Sequence, residues 1–265
     1  MPDPERSPLG GPATCAPHPS GTVPLVAVVQ HTAVCPPGRL GTWLTEAGCR
    51  LQVFRCFAGD GLPASLDGYA GLVVLGGEMG AHDDALHPWL TGTKDLLARA
   101  VAEELPTLGI CLGLQLLAVA CGGEVAPSTT GPQLGLRAVE ATPAGRADAL
   151  LADVTGPGMR AVHWNNDLVT VLPPGAEVLA TTAGTVQALR VGNAAWGVQF
   201  HPEVDPPTLR LWAAADVDAG LLDAATAEQR LAEVAAADRP LTATGTAIAQ
   251  AYIGLLGERA EPAST

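Results

Sequence analysis

Leu105-Pro106-Thr107-Leu108-Gly109-Ile110-Cys111-Leu112-Gly113-Leu114-Gln115-Leu116-Leu117-Ala118-Val119-Ala120 joins two apolar runs at a cysteine, with glycines two residues before and two after it. The pattern predicts a strand over 105–111 that turns sharply into a helix over 112–120. Glycines at such a corner remove the Cβ atoms that would collide with the turn. A thiol placed there is held exposed at a helix N-terminus, where the helix dipole favours the reactive thiolate. A buried cysteine in an ordinary core strand is the usual fate of a free thiol. Two flanking glycines do nothing for such a strand, so the corner is preferred.

Working outward, apolar runs bounded by Gly or Pro recur at 23–29, 51–54 and 71–75, and helical spacing recurs at 40–47 and 89–104. Strands alternating with helices predict an α/β fold with a doubly wound, mostly parallel sheet, whose ligand site lies at the carboxyl ends of the strands. Gly76-Gly77 and Cys111 both fall at such ends. Shorter β-like pieces follow at 134–141, 159–162, 177–180, 187–191 and 194–200, and are expected to extend the sheet with antiparallel strands. Beyond Pro206 the chain is Ala-rich with helical spacing at 209–222, 224–237 and 242–256. Covering helices account for this tail; a partner surface is the alternative.

The last β-like piece ends in Gly197-Val198-Gln199-Phe200-His201-Pro202-Glu203. In extended chain, residues two apart face the same way, so the Glu203 carboxylate can orient the His201 imidazole. A thiolate is helped by an imidazole held in this manner. Alone, His-Pro-Glu reads as a turn at a strand end; with Cys111 it completes a nucleophile, a base and an orienting acid.

These segments resemble the signature of the class I glutamine amidotransferases, which carry a Cys-His-Glu triad in Gly-x-Cys-x-Gly-x-Gln and a downstream His-Pro-Glu. A third match is Leu72-Val73-Val74-Leu75-Gly76-Gly77-Glu78-Met79-Gly80. The resemblance covers roughly residues 23–205 and takes in residues 31–48, 81–97 and 162–176. It implies a flavodoxin-like sheet, a triad of Cys111, His201 and Glu203, an oxyanion hole built from the backbone amides of Gly77 and Leu112, and a hold on the substrate's amino-acid end by Gln115. Asn165, Asn166 and Asp167 fall where relatives contact that same end. It implies glutamine or another γ-glutamyl compound as substrate and a γ-glutamyl thioester intermediate. The released ammonia would pass to a separate synthase subunit. Hydrolysis of γ-glutamyl peptides by the same triad is the alternative, and a non-catalytic regulatory subunit a third. The chain departs from the family pattern at Glu78, where many relatives have Pro, at Gln133, where Glu is common, and at Asn165-Asn166-Asp167, where His-Gly-Asp is usual.

Composition limits the other possibilities. The 265 residues are 48% hydrophobic and 15% charged, with a net charge of -13. Nucleic acid is excluded as a direct partner on this balance, because binding phosphates needs clustered Lys and Arg. Lys94 is the only lysine, and the chain contains no phosphate-loop motif. Cys15, Cys35, Cys49, Cys56, Cys111 and Cys121 show neither zinc-site nor disulfide-framework spacing. No metal and no bound cofactor are expected. Residues 1–22, rich in Pro, Gly and Ser, are expected to be a disordered leader without a signal-peptide core. The catalytic domain is expected over 23–205, with a helical extension over 206–265 packed on it, in a cytoplasmic protein without a membrane anchor. His31, His82 and His87 read as loop or capping residues and Asp83-Asp84 as the approach to a helix N-terminus. His163 is balanced between a pocket and a structural role.

Overall fold

In the computed structural model, residues 23–156 and 158–256 are described. The leader expected over 1–22, with Cys15, and the end of the C-terminal extension lie outside them. The elements run β1 (Leu25–Gln30), α1 (Gly38–Glu46), β2 (Arg50–Arg55), β3 (Gly71–Val74), α2 (Trp89–Ala102), β4 (Thr107–Ile110), α3 (Leu112–Ala120), β5 (Glu124–Pro127), β6 (Gln133–Ala138) and β7 (Glu140–Ala141). They continue with α4 (Pro143–Ala147), β8 (Arg160–Asn165), β9 (Asp167–Val171), β10 (Glu177–Thr182), β11 (Thr185–Val191), β12 (Ala195–Val198), α5 (Pro206–Asp218), α6 (Ala224–Ala236) and α7 (Asp238–Leu256).

An eight-stranded sheet in the order β2-β1-β3-β4-β12-β11-β10-β7 forms the centre. Its first five strands are parallel, and the remainder are antiparallel. This is the doubly wound α/β architecture expected from the sequence. The inner strands are buried on both faces, which is why they read as unbroken apolar runs. Alternate residues serve opposite layers. Val26 and Val28 pack with Leu40 and Leu44 of α1 and Ile248 and Tyr252 of α7. Ala27 and Val29 pack with Leu96 and Leu97 of α2 and Leu112 and Leu116 of α3.

Two small antiparallel pairs, β5 with β9 and β6 with β8, stand beside the main sheet. The single piece expected over 134–141 is thus two strands with different partners. Between them Val139 donates its N–H to the carbonyl of Met159. Alternation reveals extended chain but not the strand it will meet, so this switch could not be read locally. The helix expected to reach residue 222 stops at Asp218, and a turn follows at Gly220, whose φ is +70°.

The last helix is integral to the core. Tyr252 is fully buried, and its hydroxyl lies 3.1 Å from the carbonyl oxygen of Leu72 and 3.0 Å from that of Pro106. This contact ties α7 to β3 and to the entry of β4, the strand that delivers Cys111. Tyr252→Phe is expected to cost about 1–2 kcal/mol by removing a buried donor from two carbonyls, measured as a fall in the urea midpoint with an unchanged denaturant slope.

Candidate active site

Cys111 is the hinge between β4 and α3 and has φ +52° and ψ -105°. Positive φ is rare for a residue with a side chain and typically costs about 1–3 kcal/mol. Its surroundings leave no alternative. The Cys111 N–H donates to Val198 of β12 at 2.8 Å, and its carbonyl accepts from Gln115 of α3 at 3.2 Å. Gly113 packs so tightly on β3 that a methyl group there would run into the carbonyl of Val74.

Because β12 pairs in parallel with β4, Val198 lies beside Ile110 and the two strands end together. The chain leaving β12 brings His201 alongside, its N–H bound to the carbonyl of Val162 at 2.8 Å. Nδ1 of His201 is 2.7 Å from Oε1 of Glu203. Glu203 is anchored by its own carbonyl, which accepts from the N–H of Arg39 at 2.9 Å. Cys111, His201 and Glu203 are 5%, 5% and 3% exposed, so the thiol expected to stand exposed at the corner is buried. Nε2 of His201 has no hydrogen-bond partner of good geometry among the described residues, yet the Cys111 sulfur is close enough to act on the ring electrostatically.

Burial opposes charge on His201, but the carboxylate of Glu203 and the sulfur of Cys111 outweigh it and raise the imidazole well above its usual value of 6.5. At neutral pH the ring therefore carries a proton. The other oxygen of Glu203, Oε2, is buried without a hydrogen-bond partner among the described residues, so the adjacent imidazolium is the main support for that carboxylate. Trp212 of α5 closes one side of the ring, edge-on at 4.7 Å between centroids, and is itself fixed by a 2.7 Å bond from its Nε1 to the carbonyl of Val34.

A cavity of about 140 Å³ opens on this group. It is lined by Cys111, His201, Gly77 and Glu78, by Val34, Cys35 and Trp164, and by Leu211, Trp212, Ala215 and Asp216 of α5. Nε1 of Trp164 donates to Asp216 at 2.9 Å, joining β8 to α5 across the rim. Gly77 lies against the side chain of Leu112, within 3.0 Å of where a Cβ would be, so the two residues expected to offer amides are neighbours. Leu112 opens α3, where an N–H has no acceptor within the helix. Burial, followed by the charges of Glu203, Cys111 and Glu78, pushes the Cys35 thiol well up and keeps it protonated.

The other residues singled out from the sequence lie elsewhere. Gln115 is buried and does not line the cavity; its Nε2 donates to the carbonyl of Asp167 at 3.0 Å and to Oε1 of Gln199 at 3.3 Å. Asn165, Asn166 and Asp167 do not line it either. Asn165 donates to the carbonyl of Asp167, and Asn166 to its carboxylate. His163 is buried between the carbonyl of Ala161 and the side-chain amide of Gln187, and burial pushes it down to about 4. Burial does the same to His31, which accepts from Nε1 of Trp89. Asp83 accepts from the N–H of Gly80 and Asp84 from Thr91 and Lys94, just ahead of and within α2. Among the described residues no group of three or more His, Cys, Asp or Glu is placed to hold a metal. Also among them, no helix is long and apolar enough to cross a membrane.

Sequence reasoning gave no role to Trp164, although it stands in the matched stretch directly before Asn165, and missed Trp212 and Asp216, whose sequence neighbourhood carries no motif. It also passed over Gln199, although a glutamine inside an apolar strand end was a visible signal.

The family model for Glutamine amidotransferase class-I matches residues 40–210. A glutamine amidotransferase-like protein of Salmonella typhimurium is 30% identical over 182 residues, 67% of this chain and 75% of that protein. A gamma-glutamyl-L-1-hydroxyisopropylamide hydrolase of a Pseudomonas species is 32% identical over 146 residues, 52% of this chain and 48% of the hydrolase. The crystal structure of a glutamine amidotransferase from Methylobacillus flagellatus superposes with a TM-score of 0.77 at 27% identity, covering 91% of this chain and 98% of that one.

The charge on His201 depends on its partner. In Glu203→Gln, burial acts without the carboxylate, so the imidazole is expected to lose its proton at a pH well below that of the wild type. Nitrogen-resolved imidazole NMR across a pH titration checks this. In the wild type the stabilisation from the bound proton is complete below pH 6.5 and is lost only as pH rises through the raised folded value.

Proposed function

Because the chain belongs to the class I glutamine amidotransferase family, we propose that it cleaves γ-glutamyl amides, glutamine first among them, through a thioester on Cys111. The observation that carries this is the meeting of a thiol on a strained strand-to-helix corner with the imidazole of a buried, hydrogen-bonded His201–Glu203 pair at one cavity.

In this mechanism the Cys111 thiolate attacks the amide carbon, and the carbonyl oxygen takes the negative charge. The N–H groups of Gly77 and Leu112 stabilise that oxyanion, as fixed donors do without reorganising. The C–N bond breaks as the His201 imidazolium gives its proton to the leaving nitrogen, so ammonia departs and a γ-glutamyl thioester remains. The imidazole, now neutral, takes a proton from water. The hydroxide formed attacks the thioester, releasing glutamate and restoring the thiolate. Glu203 holds the ring in the tautomer that these transfers require. The ammonia passes to a separate synthase.

Hydrolysis of a γ-glutamyl amide with a larger leaving amine is the second function we consider. It is favoured by the carbon-rich wall of Trp164, Leu211, Trp212 and Ala215 around the cavity. The relative named as a hydrolase of a γ-glutamyl hydroxyisopropylamide supports it too.

The test is amine release by the purified chain from glutamine and from γ-glutamyl amides of increasing size. Cys111→Ala is expected to reduce release at least about a thousandfold on whichever substrate is cleaved. Ammonia released from glutamine only after a synthase is added supports the amidotransferase subunit. Faster release from the larger amides by the chain alone supports the second function. No release from any substrate, together with no labelling of Cys111 by an electrophilic glutamine analogue, would leave a regulatory subunit.

A further inference from the structure

Gln199 is fully buried directly after β12, two residues ahead of His201. Its Nε2 lies 3.4 Å from the sulfur of Cys111, and its Oε1 accepts from Gln115, whose other N–H goes to the carbonyl of Asp167. Those contacts settle which way each amide faces. A backbone carbonyl can only accept, so the nitrogen of Gln115 must point to Asp167. That nitrogen offers its second hydrogen to Gln199, so the oxygen of Gln199 faces Gln115 and its nitrogen faces the sulfur. The main chain of β9 thereby dictates, through two side-chain amides, that a donor and not an acceptor meets Cys111. Asn165 donates to the same Asp167 carbonyl at 3.2 Å and helps to fix it.

We infer that Gln199 is a catalytic residue that supports the thiolate of Cys111 through an N–H···S hydrogen bond, with Gln115 as the positioning residue that orients it. The inference rests on Cys111 being the nucleophile. It gives Gln115 a task beside the substrate contact that family resemblance implies: both N–H groups of Gln115 are engaged inside the protein, and its side-chain oxygen takes no part in either bond. A donor on the sulfur favours its charged form over its neutral one and aims it at the cavity. His201 then need not supply all of the support for the anion. This matters again in the second half of the cycle, when the sulfur must leave the thioester as an anion.

The experiment follows alkylation of Cys111 by iodoacetamide in the full-length chain, located by peptide mass spectrometry, as a function of pH. For Gln199→Met, similar in size but without a donor, the expected result is alkylation slowed about tenfold at pH 7, with the midpoint of the pH profile raised on the order of one unit. Gln199→Glu, which sets a carboxylate oxygen beside the sulfur, should raise the midpoint further. Gln115→Met should move it the same way by less, and Gln115→Met combined with Gln199→Met should match Gln199→Met alone. If Gln199→Met does not fold, as judged by circular dichroism, Gln115→Met carries the test. A reactive Cys111 whose pH profile is unmoved by these changes overturns the inference while leaving the nucleophile in place. A Cys111 that is unreactive in the folded wild type overturns both.

Discussion

Close approach of α3 to the parallel strands beneath it is the constraint on which this structure turns. Gly113 lies where even a methyl group would strike the carbonyl of Val74, and Gly197 lies where one would strike the side chain of Leu114. A Cβ on Gly109 would come within 2.6 Å of the carbonyl of Gly113. Three glycines thus let a helix start almost on top of the strand that feeds it. Cys111, caught between, is forced to positive φ. The strain is held by the packing of β3, β4 and β12, which is why the corner sits in the middle of the sheet and not at an edge.

Electrostatics then give the corner its chemistry. His201 and Glu203 are buried almost completely, and burial alone would leave the imidazole neutral. Their 2.7 Å contact and the nearby sulfur reverse that outcome. An ion pair so deeply buried gains little stability on balance, because desolvating both charges opposes it. Its place beside the cavity that His201 lines suits the proton transfer proposed for it. The C-terminal helices take part: α5 sets Trp212 against the imidazole and lines the cavity. Behind it α7 brings Gly245 so near that a Cβ would meet the carbonyl of Pro202 at 2.6 Å.

Much of this was legible in the chain. The run from Leu105 to Ala120 announces a strand, a corner and a helix, because glycine spacing and apolar periodicity are local properties. The mixed pieces after residue 124 were less legible. Extended segments such as β6 and β7 are alike in pattern, and their partners, β8 and β10, are chosen by the rest of the fold. Asn165, Asn166 and Asp167 show a further limit. They sit next to Trp164, which lines the cavity, yet alternation along the chain and the turn into β9 direct their polar groups to one another and to Gln115.

The sequence by itself determined the alternation of strands and helices that makes a layered α/β fold, the corner at Cys111 and the pairing of His201 with Glu203, since each signal is carried by residues within a few positions of one another. Tertiary structure alone decided what surrounds them. The distance from Gln199 to the sulfur spans 88 positions, and the ring contact of Trp212 with His201 joins a helix to a strand end. Such contacts depend on how a folded sheet and its helices meet in space, and local pattern carries no information about that meeting.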